Sequence, residues 1–129
     1  MANPNLFNTT SIVGGNAAWT LGSSNATLMT VDADKIVKIN SIHLAAYTGN
    51  SAIGFIKIVG LGAGAAGVTT VGADSSGQIV YERSVQPNAP YEYIPSNPIY
   101  MMEGDILQGY ASTSSRLTLF VSYEVLDDA

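Results

Sequence analysis

The sequence predicts an all-β chain: an antiparallel β-sandwich, jelly-roll-like, folded as a single domain. Three observations lead there. The stretch Arg116–Val125 places Leu117, Leu119, Val121, Tyr123 and Val125 on one side of an extended backbone. It places Arg116, Thr118, Ser122 and Glu124 on the other, with Phe120 as the one large exception. Side chains alternate faces along a strand, so this is a half-buried strand of about 33 Å at ~3.3 Å per residue. The remainder of the chain breaks into strand-length apolar runs separated by turn residues, about eight to ten strands in all, with no helical period. Finally, 129 residues with 47% hydrophobic content suit one domain with a core of its own.

In chain order, residues 1–5 read as a flexible N-terminal arm broken by Asn3-Pro4, and residues 6–126 as the sandwich. Leu6–Val13 is a first strand, which Gly14-Gly15 should end. Ala17–Leu21 is a second and Ala26–Val31 a third, with a turn at Asp32-Ala33-Asp34. In Lys35–Tyr47 the apolar phase slips by one residue near Asn40-Ser41, the pattern that a β-bulge or a strand changing sheets produces. Ile53–Val59 carries Lys57 as its one charge, which implies that both of its faces are covered. Residues 60–77 form a Gly/Ala-rich loop, or a weakly specified hairpin around Val68–Val71. Gln78–Val85 resumes as a strand. Residues 87–98 hold four of the five prolines and read as an extended Pro-rich arm outside the ladders. Ile99–Met102 and Ile106–Ala111 read as a hairpin across Glu103-Gly104-Asp105, and residues 127–129 as a short acidic tail.

Composition narrows the function. With no cysteine, disulfides and thiolate metal sites are ruled out. The net charge of −5 argues against nucleic-acid binding. No apolar run is long enough to span a membrane, and the first residues lack the basic and apolar regions of a signal peptide. The sequons at Asn8 and Asn25 are ordinary in so Asn/Thr-rich a chain. Charged residues make up only 12%, about half the usual share. That leaves apolar surface to be buried against other copies or a partner.

Several motifs imitate chemistry. Gly62-Ala63-Gly64-Ala65-Ala66-Gly67 spells G-x-G-x-x-G, with Glu82 near the distance of a ribose-binding acid. The phosphate site of that motif needs a following helix, and Val68-Thr69-Thr70-Val71-Gly72 is a poor one, so a Gly/Ala loop is the better reading. His43 is the only histidine, which rules out a His-based metal cluster. As a triad base it lacks a G-x-S-x-G partner, and its phase opposite Ile42 and Leu44 makes it a strand residue off the core face. Asp32, Asp34, Glu103 and Asp105 are closely spaced carboxylates. They lack the D-x-[DN]-x-[DN]-G rhythm of a calcium loop and sit where turns ordinarily use acids. We therefore assign no catalytic residue, no metal site and no cofactor, and read the chain as not an enzyme.

The segment KIVKINSIHLAAYTGNSAIGFIKIVG resembles a strand pair of small tailed-bacteriophage virion proteins. YIPSNPIYMMEGDILQGYASTSSRLTLFVSYEVLDD is similar to their C-terminal half: a Pro-Ile-Tyr strand opening, an acidic-Gly-Asp turn, and a terminal strand ending in Ser-Tyr-Glu. The likeness runs from Lys35 to Asp128. It implies a non-enzymatic structural protein of the virion with a sandwich or jelly-roll body. The first expectation is a capsid decoration (cement) protein that binds the outer shell as a homotrimer, with itself and the major capsid protein or another virion protein as partners. A tail, neck or fibre-base component is the alternative, and a virion-surface carbohydrate-binding module a further one. The expected interface is the Pro-rich arm, with Tyr91, Tyr93, Ile94, Pro95 and Pro98, because aromatic side chains on stiff backbone lose little freedom on binding.

Overall fold

The computed structural model describes residues 9–60, 71, 74–94 and 96–128. The nucleotide-like Gly62–Gly67 motif, Val68–Thr70 and Pro95 lie outside the described residues. Among the described residues there are nine strands: β1 Thr9–Thr20, β2 Ala26–Thr30, β3 Lys35–Ala45, β4 Ala52–Val59, β5 Ser76–Val85, β6 Tyr91–Tyr93, β7 Ile99–Met101, β8 Ile106–Ala111 and β9 Thr118–Asp128. They form two antiparallel sheets. One has the order β1-β9-β3-β6, with β7 also paired to β3; the other has the order β2-β8-β4-β5.

The pairings are nested. β4 pairs with β5, β3 with β6 and β7, β2 with β8, and β1 with β9. The chain is one long hairpin rolled over so that β9 also meets β3 and β8 also meets β4. This is the jelly-roll order, a five-stranded and a four-stranded layer wound from a single antiparallel ribbon. The Gly-rich segment connects the innermost pair, β4 and β5.

The core lies between the layers. β9 contributes Leu119 and Val121, with Leu117 just before it, and β3 contributes Val37, Ile39, Ile42 and Leu44. The second sheet answers with Ile56, Ile58, Val80, Val85, Leu107 and Ala111. The expected phase slip in β3 is real: the β3–β9 register shifts between Ile39 and Ser41. Asn40 is the extra residue, which is why Ile39 and Ile42 both face inward although three positions apart.

Four local readings change. Gly14-Gly15 does not end a strand; β1 runs through it, paired without a shift from Ser11 to Thr20. Gly15 is small for a reason: a Cβ there would lie 2.9 Å from the Tyr123 ring, which crosses it, whereas nothing lies within 4 Å of one at Gly14. Ile99–Met101 and Ile106–Ala111 are not a hairpin, because β7 joins β3 while β8 joins the other sheet. The connecting turn crosses the sandwich and docks on Val31, whose N–H donates to Asp105 O (3.0 Å) and whose carbonyl accepts from Gly104 N (3.0 Å). The Pro-rich segment enters the ladder through β6, and β7 follows it directly after Pro98, each three residues long. Asp127 and Asp128, read as tail, extend β9, and Asp127 meets Lys35 Nζ at 2.6 Å.

Candidate functional site

The outer face of the second sheet brings three aromatic side chains together: Phe55 and Tyr110, half-buried, and Tyr81, exposed. In β4, Ala52, Gly54, Ile56 and Ile58 point inward and are buried, which turns Ile53, Phe55, Lys57 and Val59 outward. The reading that both faces of this strand are covered is therefore wrong: Ile53 is 38% exposed. The error has a physical source, since a single charge in eight residues does not distinguish a buried face from an apolar face left open.

Register builds the cluster. Phe55 lies directly opposite Tyr110 of β8, and their rings stack with centroids 4.4 Å apart at 4°. On the other side, β5 carries two residues, Tyr81 and Glu82, against Phe55 alone. This bulge puts Glu82 in the left-handed region at φ 51°, a conformation that non-glycine residues adopt at some strain. It turns Tyr81 outward, 63% exposed, edge-on to Phe55 at 5.6 Å and 79°. Phe55 thus stacks one face on Tyr110 and meets Tyr81 at near right angles, and Tyr81 is the most exposed of the three rings. Lys57 and Gln108, paired directly opposite each other, adjoin it on the same face, and Gln108 Oε1 accepts from Asn25 Nδ2 at 2.7 Å.

The residues singled out from sequence fall elsewhere. Tyr91 and Tyr93 are half-buried and pack against the core from β6, and the Arg83 guanidinium lies 4.4 Å over the Tyr91 ring. That contact clips the edge strand of one sheet to the edge strand of the other. Ile94 is 66% exposed, Pro98 is half-buried, and Pro95 is outside the described residues. His43 sits on the outer face of the first sheet, edge-on to Phe120 at 6.0 Å, with Nδ1 3.7 Å from Glu92 Oε1.

Of the four turn carboxylates, Glu103 and Asp105 serve as structural parts that accept backbone N–H groups. Glu103 Oε1 accepts from the Asp34 N–H at 3.3 Å, and Asp105 Oδ2 accepts from the Met102 N–H at 2.9 Å. Asp105 is buried, 5% exposed. Burial raises its carboxyl above the ordinary carboxylate range, against the smaller opposing pull of the Met102 N–H. Among the described residues no three His, Asp or Glu side chains converge to hold a metal ion. Where the sandwich opens near this corner, a recess of about 180 Å³ lies between Met29, Val31, Lys35, Tyr123 and Val125.

Phe55, Tyr81 and Tyr110 were missed from sequence. Strand alternation by itself separates Phe55 from the face of Ile56, but nothing local indicates that three aromatic residues from β4, β5 and β8 meet.

No family model matches the chain, and no curated protein matches it. One solved structure, described under the words "Bacillus endospore appendages form a novel family of disulfide-linked pili", is similar over 92% of this chain and 90% of that chain, at 15% identity and a TM-score of 0.46.

Proposed function

We propose that this chain is a non-enzymatic structural protein that works by binding other protein subunits, and that the outer aromatic face of β4, β5 and β8 is a principal contact. The observation that supports this most directly is the Phe55–Tyr110–Tyr81 cluster, left on the surface of an acidic chain with few charges to shield it. Exposed, pre-packed aromatic residues are what interface hot spots are made of. The resemblance of Lys35–Asp128 to tailed-phage virion proteins suggests the setting. The finer proposal is a capsid decoration protein of the virion, a homotrimer bound to the major capsid protein. A tail, neck or fibre-base role is the alternative. The arm residues Tyr91, Tyr93, Ile94, Pro95 and Pro98 are proposed as a second contact, with Ile94 its exposed member.

The test has two arms. In purified particles, near-stoichiometric amounts of this chain relative to the major capsid protein support decoration, a handful of copies support tail or neck, and absence rules out a virion role. With purified protein, Phe55→Ala/Tyr81→Ala should weaken binding to the shell or to itself at least about tenfold while the fold persists. Unchanged association would sink the assignment of this face. A carbohydrate-binding role is the second reading, favoured by exposed Tyr81 beside Tyr110. Against it, sugars stack on open ring faces, and Phe55 and Tyr110 already stack on each other. Binding to a glycan array that is lost in Tyr81→Ala would reverse this preference.

A further inference from the structure

A jelly roll of two open sheets has four edges, and three of them here carry devices that block strand addition. The β2 edge is five residues long with a register shift between Thr27 and Met29. The β5 edge has two register shifts against β4, plus Glu82 and Arg83. The edge opposite β1 in the first sheet is split into β6 and β7, three residues each, β6 following Pro90 directly and β7 following Pro98. Short, bulged, charged and proline-bearing edges are the known protections against pairing with another chain.

β1 has none of these along most of its length. It is the longest strand, 12 residues, and reads TTSIVGGNAAWT, with no charge and no proline. Its pairing with β9 is unbroken from Ser11 to Thr20, and among the described residues it has no second partner strand. Ile12 and Val13, on opposite faces, are 62% and 59% exposed. A long, neutral, regular edge flanked by exposed apolar residues is a pairing surface.

We propose that β1 pairs antiparallel with β1 of a second copy, joining the two sheets across a two-fold axis. A strand without charge suits a copy of itself: a chain of net charge −5 repels its copies least where it carries no charge. The register follows from keeping like faces on the same side of the joined sheet. Directly opposed residues share a face, so the axis must pass through a residue. Centred on Gly14, Ile12 would oppose Asn16; centred on Asn16, it would oppose Thr20. Centred on Gly15, Ile12 opposes Ala18, Val13 opposes Ala17, and Gly14 opposes Asn16, so each exposed apolar side chain meets a small apolar one. This seam uses the sheet edge opposite the Pro-rich arm, so both contacts fit in one assembly. It does not depend on which particle the chain belongs to.

The register makes the test specific. Gly14 and Asn16 both lie on the outer face, and a side chain at Gly14 meets nothing within 4 Å in its own subunit. Gly14→Lys/Asn16→Lys sets like charges directly opposite one another across the seam and should weaken dimerisation at least about tenfold. Gly14→Lys/Asn16→Glu sets the introduced lysine against the introduced glutamate and should restore it. Sedimentation from micromolar to millimolar concentration reads both, and circular dichroism confirms that each variant folds. In this cysteine-free chain, Ile12→Cys/Ala18→Cys should give covalent dimers on oxidation, also in a Tyr91→Ala/Tyr93→Ala background where the arm contact is removed. A wild-type chain that forms neither dimers nor such cross-links, or charge variants that behave alike, would overturn the seam while leaving the aromatic-face reading standing.

Discussion

Asp105 offers the sharpest physical test of how this fold is held. Its carboxylate is buried at the corner where the β7–β8 turn docks on Val31, and it accepts the Met102 N–H at 2.9 Å. Two substitutions separate its hydrogen bond from its charge. Asp105→Ala removes the acceptor and strands the Met102 N–H, a loss of about 1–3 kcal/mol. For a domain of this size that lowers the melting temperature by roughly 3–10 °C. Asp105→Asn keeps an acceptor and removes the charge that burial disfavours. Because burial raises the folded-state pKa, the folded chain holds this proton more tightly than the unfolded chain. The resulting stability is fully present below the unfolded value, near 4, and is lost as pH rises through the folded value. Melting curves by circular dichroism from acidic to neutral pH should therefore show Asp105→Asn gaining on wild type as pH rises through that window, then holding a constant lead. Comparing the two at each pH cancels every pH trend that the two chains share. If Asp105→Asn instead falls behind wild type as pH rises, the ionised carboxylate is stabilising and the desolvation argument is wrong. If Asp105→Ala melts with Asp105→Asn, the hydrogen bond to Met102 contributes nothing.

Two further outcomes follow from packing. A Cβ at Gly109 would lie 2.7 Å from Ile56 Cδ1 and 3.2 Å from the Phe55 carbonyl oxygen. The isoleucine tip can move but the backbone cannot, so Gly109→Val should lose about 1–3 kcal/mol in denaturant unfolding, and an unchanged midpoint would show that β8 shifts freely. Tyr91→Ala/Tyr93→Ala removes side chains packed against the core and the ring beneath Arg83. It should cost roughly 2–4 kcal/mol of stability, whereas the exposed Ile94→Ala should stay within about 0.5 kcal/mol. A double variant with wild-type stability would show that the two tyrosines add nothing to internal packing and leave the proposed contact as their one role.

The sequence by itself determined the elements whose information is local. Alternation over Arg116–Val125 identified the central strand and its inward residues, and Leu117, Leu119 and Val121 are indeed fully buried. The slip at Asn40 identified a bulge before any partner strand was known, because an extra residue shifts the apolar phase within the strand itself. Where the reading failed, the deciding partner was far along the chain. Gly14-Gly15 reads as a breaker until β9 pairs across it and Tyr123 lies over Gly15. The Pro-rich segment reads as free of ladders until two three-residue pieces find β3. The turn at Glu103-Gly104-Asp105 reads as a hairpin until its backbone bonds to Val31 carry the chain to the other sheet. The aromatic face and the unprotected edge of β1 depend on tertiary structure alone. A strand's own residues fix which side chains share a face. Which strands lie side by side, in what register, and which edge is left open are settled only when distant segments compete to bury the same core.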